Sequence, residues 1–185
     1  MDINHYKPYG TLNKKHLISL ENYTEEEIYE ILKRANDIAE RLDAGEKQSS
    51  LKNKYVYLIT KSGFSRSRIA FETAVTKVSG TFTVSSLPGD KIDSVLTDSL
   101  SMQAIAYYGV VVRTDITADA ETLDKHVNLP IINANPKSGP LEALSALSTV
   151  WEKKNRLSGL KVAMVGNPSV FAENYLYAFV KCGAD

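Results

Sequence analysis

The chain has 185 residues, of which 43% are hydrophobic and 24% charged, with 22 basic and 22 acidic side chains and a formal net charge of zero. That is the composition of a globular protein with a real core, and a neutral balance gives no electrostatic case for nucleic acid or an anionic membrane as partner. The start, MDINHYKPYG, lacks the apolar run of a signal peptide, and no apolar segment approaches the roughly 18 residues needed to span a bilayer. Cytoplasm is the default location. Cys182 is the single cysteine, so it reads as a small buried hydrophobe rather than half of a disulfide or part of a metal site.

In chain order, helix-like and strand-like segments alternate. Thr24 with Glu27 three residues on predicts a capping box, and Ile28, Ile31, Leu32, Ala35, Ile38, Ala39 and Leu42 recur at helical spacing until Gly45. A strand follows at 55–59, then a helix over about 67–78, a strand at 81–85, a loop at 86–91 and a helix over about 93–107. Next come the strand GVVVR at 109–113, a short helix near 118–126, the strand LPIIN at 129–133 and a helix over about 141–151. Strands built from continuous apolar runs, each followed by a helix, predict an α/β fold with a parallel sheet flanked by helices on both faces. The organisation expected is a first domain over 1–151, a polar linker EKKNRLSG at 152–159, and at 160–185 the first βα unit of a second, incomplete α/β domain, with LKVAMVGN as its strand. One strand alone exposes two unpaired edges, so that unit belongs to a truncated two-domain protein or docks on the first domain or on another chain.

The polar chemistry concentrates in KSGFSRSRIAFE, Lys61 to Glu72, at a step from strand to helix. In an open parallel sheet, anions gather at the carboxyl ends of strands, where a helix N-terminus offers free N–H groups and a partial positive charge. Ser65 and Ser67 can donate there, and Arg66 can clamp a phosphate or carboxylate with two parallel hydrogen bonds. The alternative is a serine N-cap followed by solvated arginines. Arg113 closes the strand GVVVR and so projects at the same edge, either as the second half of an anion site or as a surface ion-pair partner. The loop over 135–140 leaves the next strand at that edge too.

The collinear order of KHLISLENYT, SRSRIAFETAV, SVLTDSLSM, VVVRTD, LPIINA and LKVAMVGN resembles the aspartate and ornithine carbamoyltransferase family, over its amino-terminal carbamoyl-phosphate-binding domain and the first βα unit of its second domain. KHLISLENYT and NAN lean toward the aspartate branch, which points to pyrimidine biosynthesis. The resemblance implies carbamoyl transfer from carbamoyl phosphate to an amino acid amine, without cofactor or metal, in a homo-oligomer of trimeric type with neither nucleic acid nor membrane as partner. It carries Ser65, Arg66 and Ser67 onto the family's STRTR phosphate loop, with Arg66 and Arg113 as the catalytic pair. Lys91 matches the lysine that reaches into a neighbouring subunit's site.

Several positions depart from the family pattern. Phe64 replaces the first serine of the phosphate loop, and Ser62 stands where a glutamate or lysine is expected. The fourth loop reads Gly139, Pro140, Leu141 and Glu142 in place of HPTQ, whose histidine polarises the carbamoyl carbonyl. His5, His16 and His126 stand elsewhere and read as surface or packing residues. Glu142 brings a negative charge toward the anion, and no arginine follows Gly166, where the aspartate branch expects one. Two readings follow: a carbamoyltransferase-type enzyme or its carbamoyl-phosphate domain, or a catalytically inactive relative kept for oligomer assembly, for binding a partner enzyme subunit, or for another anion.

Overall fold

The computed structural model describes residues 1–61, 66–86, 97, 98, 100, 101, 106–114, 118–136, 138–166 and 170–185. The described residues form a four-stranded parallel sheet from β1 (Tyr55–Thr60), β2 (Thr81–Ser86), β3 (Tyr107–Arg113) and β4 (Ile131–Asn133), in the order β2-β1-β3-β4. The helices are α1 (Glu25–Asp43), α2 (Arg66–Lys77), α3 (Ala118–His126), α4 (Leu141–Lys154) and α5 (Val170–Lys181). The parallel α/β architecture expected from the alternating pattern is therefore present. No helix among the described residues is long and apolar enough to cross a membrane.

The two faces of the sheet follow from strand alternation. Tyr57 and Ile59 of β1 and Val110 and Val112 of β3 point to one face, where they pack with Ala120 and Leu123 of α3 and with Leu100. Val56, Leu58 and Val111 point to the other, against Val75 and Phe71 of α2 and Leu141 of α4. Both faces are covered, which is why the central strands read as unbroken apolar runs.

A further layer holds the amino-terminal segment, α1, α4 and α5 together. Ile3, Tyr6, Leu20, Tyr23, Ile28, Tyr29, Leu32, Ala143, Leu144, Leu147, Leu157, Ala178 and Cys182 form one buried cluster. The predicted capping box closes α1: the Thr24 hydroxyl accepts from the Glu27 N–H at 3.2 Å and Glu27 accepts from the Thr24 N–H at 2.9 Å. Each satisfies a donor that the first turn of a helix leaves without a partner. Only the first half of α1 is buried; Ala35 and Ala39 are exposed. Cys182 is buried as expected, and burial pushes its thiol up to about 12.

Three expectations change. Tyr107 opens β3 rather than ending a helix; of that helix, Thr97, Asp98, Leu100 and Ser101 are helical and the other positions up to 105 lie outside the described residues. The polar run after Trp151 is not all linker: α4 continues through Lys154, Asn155 caps it in the left-handed region at φ 55°, and Leu157 is buried in the core. Leu160 to Gly166, expected as the strand of a second domain, pairs with none of the four strands; the edge of β4 is met by Leu17, whose N–H donates to Ile131 O and whose carbonyl accepts from Asn133 N–H, each at 2.8 Å. Its backbone meets that of Asp185 instead, through Asp185 N–H to Leu160 O and Val162 N–H to Asp185 O. The last helix docks on the first domain's own core through Ala178 and Cys182.

Candidate functional site

The strand order reverses direction between β1 and β3. The chain runs outward from β1 to β2 on one side and from β3 to β4 on the other, so the helices that leave these two central strands diverge and open a crevice at their carboxyl ends. Thr60, the last residue of β1, lies in register with Arg113, the last residue of β3. Arg66 begins α2 six positions after Thr60 and is exposed; Ser67 is half-buried. Arg66, Ser67 and Arg113 thus issue from the two strands that flank the reversal. Arg68 Nε stands 3.9 Å from Glu72 one turn along α2. Ser65, Lys91, Phe64 and Ser62 lie outside the described residues.

Arg113 is half-buried, and its Nε has no hydrogen-bond partner among the described residues. A cationic donor removed from water without an acceptor is costly, and an anion at the carboxyl edge relieves that cost. The residue after it is tied down firmly. Thr114 N–H donates to Asn135 Oδ1 at 2.6 Å, and Asn135 N–H donates to Asn133 Oδ1 at 3.0 Å. The ends of β3 and β4 are therefore clipped together by side chains just past the last ladder pair, Val112 with Asn133.

The fourth loop is built around Gly139. Its N–H donates to Asn135 O at 2.9 Å, and a Cβ at this position would stand 2.7 Å from both Asn133 O and Asn135 O. Those contacts are with backbone, so no side chain fits there without moving the loop. The absence of a histidine at position 139 is thus written into the loop's packing. Pro140 precedes α4, and Glu142 is exposed in the first turn of α4, where a negative charge is favoured by the helix dipole. Its nearest titratable effect is on Tyr175 of α5, whose hydroxyl is pushed up by burial and by the Glu142 charge.

The loop is held by a set of buried amides that sequence reasoning did not single out. Asn133 Nδ2 donates to Ile18 O at 3.0 Å and to Ser138 O at 3.3 Å, and Asn174 Nδ2 of α5 donates to Ser138 O at 2.9 Å. Ser138 Oγ is buried without a partner among the described residues. The signal in the sequence was NAN at the end of an apolar strand: three residues in which a polar side chain replaces an apolar one as the strand reaches the edge. Asn174, forty residues further on, carried no local signal.

The histidines stand apart from this edge. His5 is exposed beside Asp2, His126 is exposed, and His16 Nε2 lies 2.9 Å from Asp124 of α3. Burial holds the His16 imidazole below its ordinary value against the opposing pull of Asp124. A mostly apolar cavity of about 700 Å³ lies at the other end of the sheet, lined by Val56, Tyr108, Gly109 and Pro130 with Ile38 and Leu42 of α1, and with Lys77 of α2.

Comparison with known proteins places this geometry. The family described as "Aspartate/ornithine carbamoyltransferase, carbamoyl-P binding domain" matches residues 15–152. An ornithine carbamoyltransferase of Pyrococcus abyssi is 29% identical over 178 residues, which cover 95% of this chain and 56% of that relative. The solved ornithine carbamoyltransferase of Pyrococcus furiosus superposes with a TM-score of 0.84 at 29% identity, over 92% of this chain and 55% of the other. The catalytic subunit of M. jannaschii aspartate transcarbamoylase superposes with a TM-score of 0.79 at 27% identity, over 91% and 57%. The chain spans about half the length of the relatives it matches. Both branches stand side by side among these neighbours, so the comparisons do not favour the aspartate branch. The match across the sheet, its reversal point and the fourth loop means that the chain belongs to the aspartate/ornithine carbamoyltransferase family.

Proposed function

We propose that the chain binds carbamoyl phosphate, or an anion of the same chemistry, in the crevice between β1 and β3. The observation that carries this reading is the strand order: it sets the first turn of α2, with Arg66 and Ser67, beside the carboxyl end of the strand that Arg113 closes. The phosphoryl oxygens then meet N–H groups at the start of α2, the Ser67 hydroxyl and the Arg66 guanidinium, with Ser65 preceding them in the chain. Arg113 reaches the phosphate and the carbonyl oxygen. Lys91 is proposed as the contribution of a second copy in a homo-oligomer, trimeric by the resemblance. Sedimentation of the purified chain tests that assembly.

In carbamoyl transfer the amine forms a C–N bond to the carbonyl carbon, a tetrahedral oxyanion develops, and the C–O bond to phosphate breaks. Donors aimed at that oxyanion supply much of the rate, and losing one typically costs about 100- to 1000-fold. Gly139 removes one such donor at the family's histidine position, and its packing against Asn133 O and Asn135 O leaves no room to restore it. This observation favours a second reading, a relative that holds the anion with weak or no turnover. The amine acceptor, aspartate by the lean of KHLISLENYT and NAN, is tested beside ornithine because relatives of both kinds match.

Calorimetric titration with carbamoyl phosphate and with inorganic phosphate, in the wild type and in Arg66→Ala, is the deciding experiment. Heat that disappears in the variant supports the anion site. No heat, and no rise in melting temperature at millimolar ligand, ends that reading, since ligand at about 100 times its dissociation constant adds roughly 2.7 kcal/mol of stability. A radiolabelled carbamoyl-transfer assay with aspartate and ornithine then separates enzyme from silent relative.

A further inference from the structure

Asn174 lies on α5, far along the chain from the anion crevice, yet it is buried to 5% exposure with both ends of its amide engaged. Its Oδ1 accepts from Leu20 N–H at 2.8 Å, and its Nδ2 donates to Ser138 O at 2.9 Å. The orientation of the amide is fixed by its partners, because a backbone N–H can only donate and a carbonyl can only accept. From Ser138 the chain of contacts continues in short steps. Gly139 N–H, next in sequence, donates to Asn135 O at 2.9 Å, and Asn135 Oδ1 accepts from Thr114 N–H at 2.6 Å. Thr114 follows Arg113.

We propose that Asn174 is a positioning residue for the anion site: by holding Ser138 O, it makes the docking of α5 set the placement of Arg113. The inference rests on the reading of that crevice as an anion site. Without the Asn174 amide, Ser138 O keeps only the longer bond from Asn133, and the fourth loop loses its tie to α5. The end of β3, clipped to that loop through Asn135, then relaxes with it. A network of this kind acts as a coupler when a change at one member shifts the placement of the next. Binding of the last helix and of the anion are reciprocally linked as a result.

The test separates this role from general loosening of α5. Asn174→Asp keeps the acceptor for Leu20 N–H but sets a carboxylate oxygen against Ser138 O, so it breaks the loop arm; the negative charge it adds also opposes an anion, and spectra taken without ligand separate the two effects. Lys181→Met serves as the control: the Lys181 ammonium fastens the same helix to Leu20 O at 2.8 Å and Tyr23 O at 2.7 Å, and also to Glu21 O, without touching the fourth loop. Phosphate and carbamoyl phosphate are titrated calorimetrically into the full chain and both variants, at a temperature where all three are folded. Asn174→Asp is expected to weaken binding by about tenfold, within the usual range for coupled sites, with Lys181→Met near wild type. Equal affinity in Asn174→Asp and wild type overturns the proposal, and so does an equal loss in both variants.

A second measurement reads the coupling without ligand. In amide NMR spectra, the Thr114 N–H and Arg113 Nε–H resonances should move in Asn174→Asp and stay in place in Lys181→Met. A wild type that binds no anion ends the crevice reading, while these resonances still decide whether Asn174 controls the end of β3; unmoved resonances overturn the inference outright.

Discussion

Two buried polar clusters in this chain are built to opposite rules. At the amino-terminal end, the Glu30 carboxylate is 3% exposed and every oxygen is answered: Oε1 accepts from Arg34 Nε at 2.8 Å and Gly10 N–H at 3.0 Å, and Oε2 from Tyr9 N–H at 2.9 Å and the Tyr6 hydroxyl at 3.0 Å. At the carboxyl edge of the sheet, the amides of Asn133, Asn135 and Asn174 are engaged, but Arg113 Nε and Ser138 Oγ are buried without partners. Buried polar groups are nearly always satisfied, so the closed cluster reads as scaffold, while the open one leaves two groups to be met by water or by a ligand. In this protein the difference separates the strap that fastens the first ten residues to α1 from the carboxyl edge of the sheet, where the anion crevice is proposed.

The contrast can be broken most forcefully at Glu30. Glu30→Ala leaves the Tyr6 hydroxyl and two backbone N–H groups without an acceptor and Arg34, half-exposed, without its partner, at a cost of about 3 kcal/mol in urea unfolding. Phosphate affinity of the folded variant should not change; a parallel loss shows that the two regions are one unit. Gly139 comes next. Placing a Cβ within 2.7 Å of two backbone carbonyls strains the loop, so Gly139→Ala and Gly139→His are expected to cost about 2 kcal/mol each, and neither should gain carbamoyl transfer. A stable, active Gly139→His variant contradicts the account of the fourth loop given above. Arg113→Ala should do the reverse of Glu30→Ala, lowering phosphate affinity about tenfold, roughly 1.4 kcal/mol, with a melting temperature equal to or above wild type because a buried unpaired donor is removed.

The same contrast explains what the sequence could and could not disclose. The sheet was legible because β1 and β3 are buried on both faces, so apolar continuity, the turn glycines and the Thr24 capping box all point one way. Arg113 was legible because a charge that ends an apolar run has to emerge at the strand's edge. What stayed hidden depends on partners distant in sequence. The strand expected at Leu160 to Asn167 has the right composition, but Leu160 to Gly166 pairs with none of the four strands and its backbone meets Asp185 instead, which no local pattern announces. Gly139 reads as a loss of chemistry in sequence, whereas its packing makes it a requirement of the loop. Asn174 and Ser138 are thirty-six positions apart and meet only because α5 docks on the first domain.

The finest test of the closed cluster is its response to acid. Burial alone raises the Glu30 carboxyl, but Arg34, the N–H groups of Tyr9 and Gly10 and the Tyr6 hydroxyl outweigh it and hold the group below the ordinary glutamate range. The folded state therefore binds this proton less readily than the unfolded chain. The stability that results is present in full above the ordinary glutamate range and is lost as pH falls through the lower folded value. Between the two values the unfolded state binds more protons, so stability rises with pH there. Glu30→Gln removes the titration and keeps a side chain of similar size, which can still accept from some of the same donors. It should be less stable than wild type at neutral pH, and the gap should narrow steadily on acidification as wild type loses what the variant never had. The comparison is made by urea unfolding across that pH range, while phosphate titrations follow the anion site in parallel. A gap that stays constant with pH shows that the Glu30 carboxyl titrates alike in the folded and unfolded chain, and the ring of four donors around it then has to be reassigned.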